Sequence, residues 1–173
     1  EHPGVLVQHG PILRVVFGPR DPSYISPILS AIQSDLCESG IDGVLSTHIQ
    51  RDALEKFSYV SPIGASGVYL HAVAGDFQKE GPARELFKSM IREISALAAA
   101  MGYPFEKDYV KINLEILSNL SADATTSMQR DIMEGKPSEL DGLVMEPLRL
   151  AKKYSVSMPC YEEVANALCP LEF

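Results

Sequence analysis

The stretch GPARELFKSMIREISALAAAMG, Gly81 to Gly102, decides the fold. Leu86, Phe87, Met90, Ile91, Ile94, Leu97, Ala98 and Met101 recur at steps of three and four, which puts them on one face of a helix. Pro82 suits the first turn, where its missing N–H costs nothing, and Gly102 with Pro104 ends the run. The apolar face is wide enough to demand helical neighbours on more than one side.

Those neighbours are present on both sides. Downstream, Val110, Leu114 and Leu117 carry a helix over about 107–120, and a short one begins near Thr126, whose spacing to Gln129 is that of a capping box, and ends at Gly135. Another runs from Ser138 to Tyr154 with Pro147 as an internal kink, and Pro159 opens a last helix that fades by Pro170. Upstream, Asp21-Pro22-Ser23 starts a helix ending at Gly40, Val44-Leu45-Ser46 is a short extended piece, and a further helix runs from about Gln50 to Ile63. Gly64 and Gly67 read as its break. The first residues differ: Val5–Gln8 and Ile12–Phe17 read as two strands about a turn at His9-Gly10-Pro11, a hairpin too small to stand alone in water. The reading is a mainly α fold with a short N-terminal β-hairpin.

The 173 residues suffice for one core, and a net charge of −8 with no basic cluster excludes the phosphate-binding surfaces of nucleic-acid proteins. No apolar run is long enough to span a bilayer. Cys37, Cys160 and Cys169 have no metal-ligand spacing, and His2, His9, His48 and His71 are scattered, so no metal site is expected. Buried free thiols fit a reducing cytoplasm.

Three polar residues draw attention. Lys56 shares a helical stripe with Ala53, Val60 and Ile63. Such a Lys either covers apolar neighbours with its stem or holds its ammonium in a cleft, where burial would suit it to proton donation. Ser127 and Glu139, by pattern alone, are ordinary first-turn residues of helices. The Gly64-Ala65-Ser66-Gly67 run follows a helix rather than a strand and lacks the glycine pattern of a phosphate loop.

Thr126-Ser127-Met128-Gln129-Arg130-Asp131-Ile132, followed by Gly135-Lys136-Pro137-Ser138-Glu139-Leu140-Asp141, resembles the signature of the ketopantoate reductase C-terminal domain, which reads S-S-M-x-x-D and then G-x-x-[ST]-E-[IL]-[DE]. Val156-Ser157-Met158-Pro159 is similar to the family's G-V-x-x-P, and Asp52-Ala53-Leu54-Glu55-Lys56-Phe57 to its W-x-K-[LF] box. Gly4–Gly10 with Phe17-Gly18 is similar to the closing strands of the family's nucleotide-binding domain.

The resemblance implies a helical domain of the 6-phosphogluconate dehydrogenase-like type over 21–173, with 1–20 belonging to a Rossmann domain that lies outside this chain. It implies NADPH, bound mainly by that domain, and reduction of the ketone of a 2-oxo acid, ketopantoate, to pantoate for pantothenate biosynthesis. Lys56 would be the general acid and Glu139 would lie near that ammonium and the nicotinamide ribose. Ser127 would bond the substrate's polar end, and a homodimer fits the family. Without the G-x-G-x-x-G loop the fragment alone is expected to be inactive. Family members carry Asn where this chain has Val60 and Gly64, and a further Asn where it has Val144. Two alternatives therefore stand: a paralogue reducing another 2-oxo acid, and a non-catalytic helical module for oligomerisation or binding. A 3-hydroxy-acid or 6-phosphogluconate-type dehydrogenase fits the Ser-Met…Glu block less well.

Overall fold

The computed structural model describes residues 2–5, 7, 13–24 and 26–168, which fall into two compact units, Glu1–Asp52 and Ala53–Phe173.

The first unit holds strand β1 (Arg14–Phe17), helix α1 (Pro27–Glu38) and strand β2 (Asp42–Leu45). The first arm and turn of the expected hairpin lie largely outside the described residues. Its second arm is β1, but β1 pairs in parallel with β2, Arg14 opposite Asp42 through Phe17 opposite Leu45. A parallel pair needs a crossover, and α1 supplies it. The helix lies close on β2 because Gly43 has no side chain: a Cβ there would come within 2.9 Å of Leu36 Cβ. Gln33 closes the contact by donating to the Gly43 carbonyl at 3.0 Å. Ahead of α1, the Asp21 carboxylate accepts the Ser23 hydroxyl (2.7 Å) and N–H (2.9 Å). The start signal read from Asp21-Pro22-Ser23 thus makes a tight turn, and the α-helix itself begins at Pro27.

Among the described residues, the regular elements of the second unit are all helical. It contains most of α2 (Ile49–Leu70), then α3 (Ala74–Gln78), α4 (Pro82–Ala100), α5 (Tyr109–Ser118) and α6 (Ser127–Met133). A π turn (Asp141–Met145) leads directly into α7 (Glu146–Tyr154), and α8 (Pro159–Leu168) follows. Helix α4 is central, and its predicted face is buried on two sides. Met90, Ile94 and Leu97 pack with Val144, Ala151, Met158, Tyr161 and Val164. Phe87 and Ile91 pack with Ile63, Ala72, Ala74, Phe77 and Leu117. Each buried Val, Leu, Ile, Met or Phe among them contributes roughly 1.5–3 kcal/mol by leaving water. The start of α8 is capped from α4, where the Glu93 carboxylate accepts the N–H groups of Cys160 (2.8 Å) and Tyr161 (3.1 Å).

Helix α2 departs from its sequence reading. It does not break at Gly64 or Gly67 but continues through Pro62 to Leu70. Pro62 removes the N–H that the Ser58 carbonyl would use. The side-chain amide of Asn113, buried on α5, donates to that carbonyl at 3.0 Å and to the Ser58 hydroxyl at 3.1 Å. The two glycines are places of close approach rather than breaks. A Cβ on Gly67 would sit 2.8 Å from the Gln129 amide, and one on Gly64 would sit 3.1 Å from the Met128 methyl.

The cysteines also differ in part from expectation. Cys37 is exposed rather than buried, while Cys160 is half-buried and its thiol is pushed up to about 11, chiefly by burial. Cys169 lies outside the described residues. Among the described residues no helix is long and apolar enough to cross a membrane.

Candidate functional site

Lys56 lies in the second turn of α2 and is exposed, as are Ala53 before it and Val60 after it on the same stripe. The stripe is therefore open around Lys56 and closes at Ile63 and Gly64, which are buried. Of the two readings left by the sequence, the ammonium is at the surface of this unit and is not enclosed by it.

Ser127 is the first residue of α6, and its neighbours fix where that helix starts. The Thr126 hydroxyl accepts the Gln129 N–H (3.2 Å), and the Gln129 side-chain Oε1 accepts the Thr126 N–H (3.0 Å), the reciprocal box read from the sequence. Gln129 then donates its amide to the carbonyl of Ala72, just past the end of α2, at 2.8 Å. The Gln129 side chain is buried, so these bonds are shielded from water and hold α6 to α2 firmly. Ser127 itself stays exposed.

Glu139 is also exposed and occupies the bend before the π turn. Its carbonyl accepts the N–H of Leu143 at 2.9 Å, which makes it the first acceptor of the helix that follows. A carboxylate at such an end sits in the favourable field of the free N–H groups.

The elements bearing these residues converge on α2. A Cβ on Gly64 would meet the Met128 methyl at 3.1 Å, Leu143 Cδ1 at 3.8 Å and the Thr126 hydroxyl at 3.9 Å. Thr126 and Met128 flank Ser127, and Leu143 is hydrogen-bonded to Glu139. Lys56 lies eight residues back along the same helix, about 12 Å at a rise of 1.5 Å per residue. Among the described residues, no hydrogen bond or ion pair joins the Lys56, Ser127 and Glu139 side chains to one another or engages them elsewhere. They are three open polar groups on elements that meet, rather than a preassembled cluster.

The positions where family members carry Asn take three different environments. Val60 is a partly exposed apolar residue one turn beyond Lys56, with 36% of its surface accessible. Gly64 is covered by the thioether of Met128. Val144 is fully buried in the core with Met90 and Tyr161. Pattern reasoning assigned no role to Met128; only the bare Gly64 facing it signals the contact.

A cavity of about 430 Å³ opens at the far end of α2, lined by Gly67, Val68, His71, Gln129, Ile132 and Met133. None of Lys56, Ser127 or Glu139 borders it. Among the described residues no cluster of His, Cys, Asp and Glu could hold a metal ion.

Comparison with known proteins adds a family and a fold. The pattern of the family described as ketopantoate reductase PanE/ApbA C terminal matches residues 48–172, a span holding Lys56, Ser127 and Glu139. Among solved structures, the chain resembles 2-dehydropantoate 2-reductase from Methylococcus capsulatus, with 24% identity and a TM-score of 0.79 over 90% of this chain and 49% of that one. The enzyme of the same name from Geobacter metallireducens GS-15 gives 24% identity and a TM-score of 0.80 over 90% and 52%. D-mandelate dehydrogenase, solved with NADH and anilino(oxo)acetate, gives 16% identity and a TM-score of 0.75 over 89% and 64%. The chain thus spans about half the length of the two reductases. No curated protein sequence matches it.

Proposed function

The chain belongs to the ketopantoate reductase C-terminal family, and from that premise we propose that it is the substrate-side domain of an NADPH-dependent 2-oxo-acid reductase, with ketopantoate reduced to pantoate as the first substrate to test. The observation that carries this reading is the family match across all three candidate residues, whose side chains are exposed and unengaged on elements meeting at Gly64.

A nicotinamide, held mainly by a Rossmann domain, would supply the hydride that reaches the ketone carbon. Lys56 gives a proton from its ammonium to the ketone oxygen as negative charge builds there, so the product is a 2-hydroxy acid and the amine is left neutral. The positive charge also stabilises the developing alkoxide. Ser127 donates its hydroxyl to the substrate's polar end. Glu139 is an exposed carboxylate with acceptor capacity to spare, which fits a ribose hydroxyl and the Lys56 ammonium. The chain without its nucleotide-binding partner is expected to leave NADPH unoxidised.

A second substrate is favoured by specific side chains. Val60 offers apolar surface one turn from Lys56, and the Met128 methyl fills the space beside Gly64. Neither can bond a substrate hydroxyl, so a 2-oxo acid with an apolar side chain suits this surface better than the hydroxyl-bearing ketopantoate.

The test is to follow NADPH oxidation by the full-length protein with ketopantoate and with 2-oxo acids bearing apolar side chains. Turnover of ketopantoate at the highest kcat/KM supports ketopantoate as the substrate, and preference for an apolar acid supports the paralogue. NADPH binding without reduction of any acid would sink both and leave a non-catalytic helical module.

A further inference from the structure

The helix after Glu139 opens into a π turn for a reason visible in the sequence. Pro147 has no N–H, so the Leu143 carbonyl, four residues earlier, loses its helical donor, and the proline ring crowds it. The missing donor comes from α2. Ser61 Oγ lies 2.6 Å from the Leu143 oxygen and 2.5 Å from the Tyr161 hydroxyl of α8. A hydroxyl has one proton and a carbonyl can only accept, so Ser61 donates to Leu143 and Tyr161 donates to Ser61. Both residues are fully buried, and burial raises the Tyr161 phenol, which keeps its donor proton in place. On the outer side, the Arg149 guanidinium makes two parallel bonds to the Asp141 carboxylate (3.0 and 2.8 Å), tying the first residue of the π turn to α7. The turn is thus held from inside and outside.

Leu143 is the junction. Its carbonyl takes the Ser61 proton, and its N–H bonds the Glu139 carbonyl at 2.9 Å. Ser61 stands five residues after Lys56 on the same rigid helix. Two hydrogen bonds and about one and a half helical turns therefore connect Lys56 to Glu139. We infer that Ser61 and Tyr161 are positioning residues for the reduction: through Leu143 they set the place of Glu139 relative to Lys56. The inference rests on the roles proposed above for those two residues.

Ser61→Ala, Tyr161→Phe and Glu139→Gln are compared in the full-length protein, alone and combined. Tyr161→Phe keeps the ring in the core and so remains informative if Ser61→Ala fails to fold. Either change should lower kcat by roughly tenfold to a hundredfold, the scale for a small misplacement of a reacting group. The loss should fall on kcat with KM for the 2-oxo acid nearly unchanged, as in Glu139→Gln, because a misplaced group weakens interactions made only in the transition state. In the Glu139→Gln background the same changes should cost little further. A loss that appears in KM and leaves kcat intact, or costs that add fully to that of Glu139→Gln, overturns the inference. A wild type that reduces no 2-oxo acid, or Lys56→Ala at the parental rate, overturns the proposed function and this inference together. Additive losses in an active enzyme that needs Lys56 overturn this inference alone.

Discussion

The Asn113 amide on α5 donates to the Ser58 carbonyl on α2, the one carbonyl of that helix that Pro62 strips of its own donor. Because the pair is buried, Asn113→Leu leaves an unsatisfied acceptor and should cost about 1–3 kcal/mol, read as a lower denaturant midpoint. Pro62→Ala restores an N–H to the helix. The double variant should therefore lose less than the sum of the two single losses, and strict additivity would refute this pairing.

The two glycines of α2 should respond unequally to a methyl group. Gly67→Ala drives its Cβ to 2.8 Å from all three heavy atoms of the Gln129 amide, which is pinned by its bond to Ala72. The expected loss is about 1–3 kcal/mol. Gly64→Ala meets only the end of the flexible Met128 side chain at 3.1 Å. The helix gains up to about 1 kcal/mol from Ala over Gly, so this variant should be near neutral. Thermal unfolding of both in this chain checks the order.

Lys56→Ala separates chemistry from stability. In the full-length protein, kcat/KM for the preferred 2-oxo acid should fall by about 10²–10⁴, the usual range for a general acid. Because Lys56 is exposed, unfolding free energy should change by no more than about 0.5 kcal/mol. A large stability loss with intact turnover would reverse the assignment.

Ser155 ends α7 in the left-handed region at φ 57°, with the Val156 N–H closing on the Ala151 carbonyl. Glycine adopts that conformation without the steric cost a side chain carries. Ser155→Gly should stabilise the chain by roughly 0.5–1 kcal/mol, and an unchanged or lower melting temperature would count against the geometry.

The clamp across the π turn should be visible in acid. Hydrogen bonding from Arg149 holds the Asp141 carboxyl below its ordinary value of 3.8. A lowered folded-state value stabilises the fold above the ordinary range, and that contribution disappears as pH falls through the folded value. Both groups are exposed, so the effect is small and screened by salt. Asp141→Asn should lower the urea midpoint slightly near neutral pH and not at all well below pH 3.8.

Local signals carried most of the helices. The apolar steps of α4, the capping box at Thr126 and Gln129, and Pro159 at the start of α8 all act within a few residues, and periodicity reads that range. Misreadings arose where a distant residue overrides a local preference. Pro62, Gly64 and Gly67 look like a helix break until Asn113, Met128 and Gln129 are brought to them from elsewhere in the chain. β1 had a plausible neighbour in sequence but pairs with β2 beyond an intervening helix. Pro147 marked a point of irregularity in the sequence, whereas the π turn before it and the Ser61 hydroxyl that serves it were not legible. Of the candidate site, residue types and spacing alone gave only a Lys on a helical stripe of apolar or small residues, with its ammonium either at the surface or in a cleft. Ser127 and Glu139 look like ordinary helix starts, and only family resemblance separates them from others.

The proline inside α2 has a consequence for how the chain reaches its native state. A peptide of residues 49–70 alone lacks the amide that completes Pro62's turn, so it should fray there in water. The helix becomes whole only after α5 has docked and delivered Asn113. Order in this segment is thus borrowed from a neighbour, and the two should appear together during folding, as one cooperative step.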